Sequence, residues 1–322
     1  MKAMQLKGYG AADNYELVDI PVPEPADDEV LIKVALASAV YADVVMRTGG
    51  YPFKPPFPYV GGREVAGTIE KVGAKVEGLR PGMRVTADMQ TGAYAEYAVA
   101  KHGKIMIVPN RASFDQAIVY HSNMLVAYLA YYTFGNLQPG ESILVHAAAG
   151  GIGSVFTQIA KQRGTNMVIA LASNDEKLDF CRKIGADYVV NVSTSNYADE
   201  VLRITNGKGV DVSFNSVTGP TLRTDLHAIR QRGKWLLNGF AAGIGTLEIS
   251  AELMLKSFTI IPFSIYSVVD RPEFKQAYDF RNNWLATKEL LSVTRTFRLE
   301  DVAEAHRWIE SRRSFGKVVL IP

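Results

Sequence analysis

The chain contains 322 residues, of which 48% are hydrophobic, and its formal net charge at pH 7 is +2. This length favours two domains, and the near-neutral charge gives no indication of a nucleic-acid partner. The only cysteine, Cys181, excludes an internal disulfide and any structural zinc site built from several cysteines.

The N-terminal segment, MKAMQLKGYG, lacks the long apolar core of a signal peptide. The most apolar long stretch, 117–134, contains His121, Ser122 and Asn123, so we do not interpret it as a membrane span. We therefore expect a cytoplasmic protein without a membrane partner, in which Cys181 belongs to a core.

Residues 1 to about 110 have the pattern of a β-rich unit, because short apolar segments alternate with glycine and proline turn signals. One short helix is predicted over 41–47. Many short strands with this punctuation are typical of a partly open barrel. The predicted strands are 29–36, 67–72, 84–87, 94–99 and 104–108.

After two connecting helices across 113–135, the pattern changes to strands alternating with helices. Six such strands predict a doubly wound parallel sheet in an α/β fold. The strands are 142–146, 167–171, 188–192, 210–215, 234–238 and 258–262, and the helices are 154–163, 175–184, 196–205 and 219–231. Two further helices, 272–286 and 299–312, and a last strand, 317–321, are expected to return to the first unit.

A glycine-rich turn follows the first strand of this sheet. Ala148, Gly150 and Gly153 occupy the spacing G-x-G-x-x-G, with alanine at the first glycine position and Gly151 and Ile152 within the turn. Glycine lets a pyrophosphate approach backbone N–H groups at the start of a helix, where partial positive charge favours an anion. Strand, turn and helix in this order predict a dinucleotide site.

The end of the second strand indicates which dinucleotide is bound. An acidic residue there would hold the ribose 2′-hydroxyl of NAD, but the position is Ala172. Ser173, Asn174 and Lys177 follow and can bind a 2′-phosphate, so the sequence predicts NADP(H). A second interpretation, compatible with the first, is that Ser173 and Glu176 form a capping box for the next helix.

The chain contains several short motifs in a fixed order. They are Ala42-Asp43-Val44-Val45-Met46-Arg47, Gly62-Arg63-Glu64-Val65-Ala66-Gly67, Pro81-Gly82-Met83-Arg84-Val85, Gly92-Ala93-Tyr94-Ala95-Glu96-Tyr97, the stretch 146–153 and Gly316-Lys317-Val318-Val319-Leu320. In this order and spacing the chain resembles the medium-chain dehydrogenase/reductase superfamily and, within it, the zinc-independent quinone oxidoreductase branch. The likeness extends over nearly the whole chain.

The resemblance implies a split catalytic domain with a GroES-like barrel, formed by 1–118 and 263–322, and a Rossmann dinucleotide-binding domain, 119–262. It implies a cleft between them where the nicotinamide meets the substrate, and a homodimer joined through the edge strand 258–264. It also implies that the nicotinamide half of the cofactor lies beside Gly239, Phe240 and Ala241. Asn215, at the end of the fourth strand, is expected at the same edge of the sheet.

No metal is expected. The alcohol dehydrogenase relatives have a zinc-binding histidine where this chain has Arg63, and their earlier cysteine ligand has no counterpart near 38–40. The five histidines, at 102, 121, 146, 227 and 306, are scattered. Without a metal to polarise an alcohol, the remaining chemistry is hydride transfer to an electron-poor acceptor.

An α,β-unsaturated carbonyl needs a proton as well as a hydride, so this acceptor calls for an acid near the nicotinamide. Tyr51 is the first candidate, since enoyl reductases of this family carry a proton-donating tyrosine in a similar Gly-x-Tyr-Pro setting; alternatively it only shapes the pocket. Tyr41 is the second. Arg63 either binds an anionic substrate group or, the favoured interpretation, pairs with Glu64, Asp43 or Asp88.

The sequence therefore predicts an NADPH-dependent, zinc-independent oxidoreductase that transfers hydride to a quinone or an α,β-unsaturated carbonyl. Its partner is a small electrophilic molecule, not a nucleic acid. Two alternatives remain open. One is an enoyl-thioester reductase, and the other is a non-catalytic protein that binds NADPH, like the zeta-crystallins.

Overall fold

The computed structural model describes residues 1–243, 245–248, 250–288, 291–292 and 294–322. These residues divide into two compact units, Met1–Ser122 with Arg281–Pro322, and Asn123–Phe280. The family-based domains had their boundaries at 118/119 and 262/263. The second division lies further along the chain because helix Pro272–Thr287 begins in the second unit.

The elements are numbered in chain order. The strands are β1 Lys2–Leu6, β2 Tyr15–Asp19, β3 Glu29–Ala39, β4 Tyr59–Val60, β5 Glu64–Val72, β6 Arg84–Asp88, β7 Tyr97–Lys101, β8 Ile105–Ile107, β9 Ser142–Val145, β10 Met167–Ala172, β11 Tyr188–Asn191, β12 Val210–Asn215, β13 Ile229–Leu237, β14 Thr259–Pro262, β15 Thr294–Arg298 and β16 Lys317–Ile321. The α-helices are α1 Tyr41–Arg47, α2 Phe114–Tyr128, α3 Gly151–Gln162, α4 Asp175–Lys183, α5 Tyr197–Ile204, α6 Thr221–Ala228, α7 Ala251–Lys256, α8 Pro272–Thr287 and α9 Val302–Glu310.

The first unit is built on a seven-stranded sheet in the order β15-β16-β3-β5-β6-β8, in which β7 also pairs with β3. The long strand β3 is antiparallel to β5, β7 and β16, so the C-terminal strand β16 lies beside a strand from the start of the chain. A three-stranded sheet, β2-β1-β4, completes the unit. This arrangement confirms the barrel-like β unit and the return of the chain terminus to it.

The second unit contains a six-stranded parallel sheet in the order β11-β10-β9-β12-β13-β14. Numbered from β9, this is the doubly wound order 3-2-1-4-5-6. All four residues of the central strand β9 are buried, as expected for a parallel strand covered on both faces. The predicted Rossmann fold is confirmed.

Some elements differ from the sequence prediction. Strands β1, β2, β4 and β15 and helix α7 were not predicted. The two helices expected across 113–135 are one continuous run, because α2 passes directly into a π-helical segment, Leu129–Phe134. Helix α6 ends at Ala228 rather than at residue 231, since β13 begins at Ile229 with a register shift against β12.

The described residues bear on two predictions, the burial of Cys181 in a core and the interpretation that 117–134 is not a membrane span. Cys181 is fully buried, and burial raises the pKa of its thiol to about 12, so the residue belongs to a core as expected. Within the described ranges, no helix combines the length and the apolar character needed to cross a membrane.

Candidate active site

The glycine turn connects β9 to α3 through a tightly folded backbone. Ala147 has a φ of 46°, and the N–H of Gly150 donates to the carbonyl oxygen of Ala147 at 2.8 Å. A Cβ at Gly153 would lie 2.5 Å from that same oxygen, and a Cβ at Gly151 would lie 2.7 Å from Nδ2 of Asn123. Only glycine therefore fits at 153 without displacing the backbone of the turn, whereas a side chain at 151 would require the Asn123 amide to move.

Helix α3 begins within the glycine turn, at Gly151. The N–H of Ser154 donates to Gly150 at 2.9 Å, so the N–H groups of Gly151, Ile152 and Gly153 precede the first hydrogen bond of the helix. Such groups carry partial positive charge and bind phosphate oxygens. Ala148 is fully buried, and its N–H donates to Leu171 at 3.0 Å, which fixes the turn to β10.

The residues after β10 form the candidate 2′-phosphate site. Asn174 caps helix α4, since its Oδ1 accepts from the N–H of Lys177 at 3.0 Å. The predicted capping box of Ser173 and Glu176 is therefore wrong, because the helix begins one residue later than that interpretation requires. Ser173 is exposed, and Nζ of Lys177 lies 3.4 Å from its hydroxyl.

Lys177 is unusual for a lysine because its side chain is 8% exposed. Burial lowers the pKa of Lys177, although the nearby Cys181 and Glu176 raise it. The ammonium is directed towards the end of β10, where Ala172 provides no competing carboxylate. A hydroxyl and an ammonium at this edge of the sheet are the donors that a 2′-phosphate requires.

The ends of β12 and β13 hold the remaining predicted cofactor residues. Gly239 and Phe240 are exposed, and Phe240 has 45% of its surface accessible, while Ala241 is half-buried. Asn215 ends β12, as the sequence predicts, and its side chain is fully buried. Its Nδ2 donates to Thr221 and Asp225, and its Oδ1 accepts from the N–H groups of Val217 and Thr218. Its amide holds the backbone that follows β12 instead of facing outwards.

Sequence reasoning missed Asp225, a fully buried carboxylate on α6. It accepts hydrogen bonds from His146, which directly precedes the glycine turn, and from Asn215. Burial raises the pKa of Asp225, but His146 and the other donors outweigh this and hold it below its usual range. Asp225 lies at helical spacing from Leu222 and Leu226, on the apolar face of a predicted helix. A carboxylate on an apolar face is the feature of the sequence that could have identified it.

In the first unit, Tyr51 and Arg63 are in direct contact. Nη1 of Arg63 donates to the hydroxyl of Tyr51 at 2.8 Å, and its guanidinium carbon lies 4.8 Å from the centre of the tyrosine ring. Tyr51 is half-buried against the barrel core. Tyr41, the second predicted acid, is 43% exposed at the start of α1.

Two of the carboxylates proposed as partners of Arg63 have other partners. Glu64 forms a buried ion pair with Lys317 of β16 and also accepts from Ser38 at 2.7 Å. Burial raises the pKa of Glu64, but Lys317 outweighs it and lowers the value to about 2. Asp88 lies 3.8 Å from Nζ of Lys104.

Asp43, the third carboxylate, is 3% exposed within the barrel core. Its Oδ2 accepts from the N–H of Val40 at 2.9 Å and from the hydroxyl of Tyr94 at 3.2 Å, while Oδ1 is buried without a hydrogen bond. Burial raises the pKa of Asp43 to about 6, although the Val40 N–H and the charge of Arg63 act in the opposite direction.

Two family models match the chain. The model described as an alcohol dehydrogenase GroES-like domain matches residues 26–110, and the one described as a zinc-binding dehydrogenase matches residues 151–283. The quinone oxidoreductase of Homo sapiens is 32% identical over 326 aligned residues, covering 100% of this chain and 98% of the relative. The chain belongs to the quinone oxidoreductase branch of the medium-chain dehydrogenase/reductase superfamily.

Other members of the superfamily are similarly close. A 2-haloacrylate reductase from a Burkholderia species is 30% identical, covering 97% of this chain and 96% of the relative. The crystal structure of Escherichia coli quinone oxidoreductase complexed with NADPH superimposes with a TM-score of 0.92 at 27% identity, covering 100% of both chains. The similarity therefore extends over both domains of these relatives.

His121 and His306 have structural partners. Nδ1 of His121 lies 2.8 Å from the Thr86 hydroxyl, and Nε2 of His306 lies 3.1 Å from the hydroxyl of Tyr94. Burial lowers the pKa of His306 to about 3, and nearby Arg47 adds to the effect, so its ring is neutral at physiological pH. In the part of the chain that the structure describes, no three histidine, cysteine or acidic side chains are grouped to hold a metal ion.

Proposed function

We propose that the protein is an NADPH-dependent oxidoreductase that transfers a hydride to a quinone or an α,β-unsaturated carbonyl without a metal ion. The observation that carries the proposal is the pairing of two features on one parallel sheet. The first is the start of helix α3 at Gly151–Gly153, whose N–H groups precede the first hydrogen bond of the helix, and the second is the hydroxyl and ammonium pair of Ser173 and Lys177.

The residues fit the cofactor. The missing Cβ at Gly153 lets the start of α3 pack against the carbonyl oxygen of Ala147, with which a side chain would collide. The resulting tight turn would present backbone N–H groups to a pyrophosphate. Ser173, Asn174 and Lys177 would hold the 2′-phosphate, and Gly239, Phe240 and Ala241 would lie beside the nicotinamide. Bound NADPH supplies the hydride. NADPH in the crystal structure of the Escherichia coli relative supports this assignment.

For reduction of an alkene, Tyr51 is the proposed proton donor. The N–H of Arg63 donates to the Tyr51 oxygen, and a hydrogen bond of this kind stabilises the phenolate that remains after proton transfer. The positive charge of the guanidinium acts in the same direction. Tyr51 would deliver its proton to the α-carbon after hydride reaches the β-carbon.

A specific observation favours the alkene within this pair of acceptors. The 2-haloacrylate reductase that matches the chain is named for an unsaturated carboxylate. Arg63 is a planar cation beside Tyr51 and suits bidentate binding of a carboxylate. We therefore propose that acceptors with a carboxylate or similar electron-withdrawing group next to the alkene belong to the substrate range.

NADPH oxidation by the purified protein tests the proposal, with an ortho-quinone and a linear enal assayed in parallel. Tyr51→Phe is expected to lower kcat for the enal at least tenfold and to change turnover of the quinone less than threefold, because a quinone needs no proton at carbon. Tyr188→Phe is the matched control, because Tyr188 is an exposed tyrosine on β11 with no part in the proposed chemistry, and it should leave both rates unchanged. Equal rates for Tyr51→Phe and wild type with the enal would contradict the role of Tyr51, and no turnover with either acceptor would contradict the enzyme assignment.

We further propose that the protein is a homodimer joined through β14. This strand lies at the edge of the six-stranded sheet, and the neighbouring helix α7 has Met254 and Leu255 exposed by 65% and 74%. An unpaired edge beside exposed apolar side chains is suited to pairing with a second copy. Light scattering after size-exclusion chromatography should give twice the chain mass of 35.3 kDa, and Ile260→Pro should reduce it to one copy. A wild-type protein of single-chain mass would contradict the dimer.

A further inference from the structure

The carboxylate of Asp225 joins the ends of three neighbouring strands. Its Oδ1 accepts from Nε2 of His146, which follows β9, at 2.8 Å, and its Oδ2 accepts from Nδ2 of Asn215 on β12 at 2.9 Å and from Nε1 of Trp235 on β13 at 2.8 Å. Tyr197 and Ser213 donate as well, at 2.8 and 2.9 Å. Five donors on one fully buried carboxylate exceed what two oxygens usually accept, so the group is held from every side.

Through Asn215, this carboxylate controls the backbone after β12. While Nδ2 of Asn215 donates to Asp225, its Oδ1 accepts from the N–H groups of Val217 and Thr218 at 2.9 and 2.8 Å. Thr218 has a φ of 53°, which a β-branched residue rarely adopts. Strain of this kind persists where the surrounding contacts impose it, and it is concentrated at functional sites.

Thr218 in turn holds the loop after β13. Its hydroxyl lies 3.1 Å from the carbonyl oxygen of Gly239 and 3.0 Å from that of Gly243, and the N–H of Ala242 donates to Val217 at 2.9 Å. The loops 216–220 and 238–243 are therefore bonded to each other at the carboxyl ends of the strands, which is the edge where ligands bind in open α/β sheets.

We propose that Asp225 is a positioning residue for the nicotinamide half of the dinucleotide, acting through Asn215 and Thr218 on the loop that contains Gly239, Phe240 and Ala241. The inference rests on the proposed function, since it assumes that NADPH binds at this edge. It assigns no such part to the 2′-phosphate site, because Ser173, Asn174 and Lys177 follow β10, whereas Asn215 ends β12 and Gly239 follows β13.

The test compares two ligands on purified Asp225→Asn. The asparagine amide presents N–H groups where one carboxylate oxygen accepted, so it leaves donors facing donors within the network. We expect the Kd for NADPH to rise about tenfold, which corresponds to about 1.4 kcal/mol. The Kd for adenosine 2′,5′-bisphosphate, which lacks the nicotinamide half, should change less than twofold.

Asp211→Asn is the matched control. Asp211 lies on β12 and accepts from the N–H of Ser142 at 2.7 Å, but it is at the end of that strand opposite to Asn215. Its substitution should leave both affinities within twofold of wild type. Equal NADPH affinity for Asp225→Asn and wild type would overturn the inference, as would a parallel loss of both affinities in a folded protein.

A second pair of variants keeps the test decisive if Asp225→Asn does not fold. Thr218→Ala removes the hydroxyl that holds the loop after β13, so it should raise the Kd for NADPH and leave the Kd for adenosine 2′,5′-bisphosphate unchanged. Thr218→Ser retains the hydroxyl and should bind NADPH with the wild-type Kd. Unchanged NADPH affinity in Thr218→Ala would also overturn the inference. A wild-type protein that does not bind NADPH would instead overturn the proposed function itself, together with the inference built on it.

Discussion

At the scale of single residues, the first unit contains a carboxylate whose ionisation opposes folding. Asp43 is 3% exposed, and its Oδ1 has no hydrogen bond. Burial raises its pKa from 3.8 to about 6, so the folded protein retains a proton that the unfolded chain has already lost between these two values. The neutral carboxyl of Asp43 therefore contributes fully to the free energy of unfolding below pH 3.8. That contribution is lost as the pH rises from 3.8 through about 6.

Asp43→Asn should remove this pH dependence. A shift of this size corresponds to about 2 to 3 kcal/mol, so the free energy of unfolding of the variant relative to wild type should rise by that amount between pH 4 and pH 7. Urea unfolding of both proteins at pH 4, 5, 6 and 7 measures the difference. Because other groups titrate alike in both proteins, a difference that does not change with pH would contradict the raised pKa.

The chemical role of a residue could be predicted from the sequence only where a motif of neighbouring residues identifies its position. Ala172 in place of an acid, and Arg63 in place of a histidine, are both identified by their motifs. The partners of these residues were not predictable, because they depend on the fold. Arg63 and Tyr51 meet across a loop, 12 positions apart, and the network of Asp225 reaches His146, 79 positions away, so no local pattern encodes these contacts.

At the scale of elements, helix α4 combines a structural and a binding role in one residue. Asn174 caps the helix through Lys177 and is also a candidate ligand of the 2′-phosphate. Aspartate caps a helix as well as asparagine does, but its charge repels a phosphate. The two roles of Asn174 can therefore be separated by a single substitution.

Asn174→Asp should keep the melting temperature within about 2 °C of wild type and lower the ratio of kcat/KM for NADPH to that for NADH about tenfold. Asn196→Asp is the matched control, because Asn196 caps α5 in the same way, accepting from Ala198 at 3.1 Å. An unchanged coenzyme ratio in Asn174→Asp would contradict the assignment of this loop to the 2′-phosphate.

The elements that the sequence predicted best are those with continuous apolar runs. Strands β9 and β12 are buried on both faces, and the predicted bounds of β12 agree with the structure. Strands β2 and β15 have mostly exposed or half-exposed residues, and they lack the hydrophobic pattern that marks a strand. Their stability comes from pairing with β1 and β16, which only the tertiary structure supplies.

At the scale of the whole molecule, a buried ion pair joins the two ends of the chain within the first unit. Glu64 begins β5, Lys317 begins β16, and their side chains are 7% and 2% exposed. Breaking one member of a buried pair leaves the other charge without compensation and costs about 3 to 5 kcal/mol. This pair therefore secures the return of the C-terminal strand to the N-terminal sheet.

Glu64→Gln should lower the free energy of unfolding by several kcal/mol, measured by urea denaturation at pH 7. Glu24→Gln is the control, because Glu24 pairs with Lys71 on the surface, where the two side chains are 73% and 53% exposed. An exposed pair of this kind contributes less than about 1 kcal/mol. Equal losses in the two variants would show that the buried pair does not stabilise the fold.

The central claim is that this quinone oxidoreductase relative transfers hydride from NADPH without a metal ion. The most direct measurement is NADPH oxidation with an ortho-quinone and an enal, using protein dialysed against a strong chelator and verified as metal-free by mass spectrometry. We predict full activity in the metal-free protein with at least one acceptor, and no increase when zinc is added back. Activity that disappears with the chelator and returns with zinc would contradict the claim.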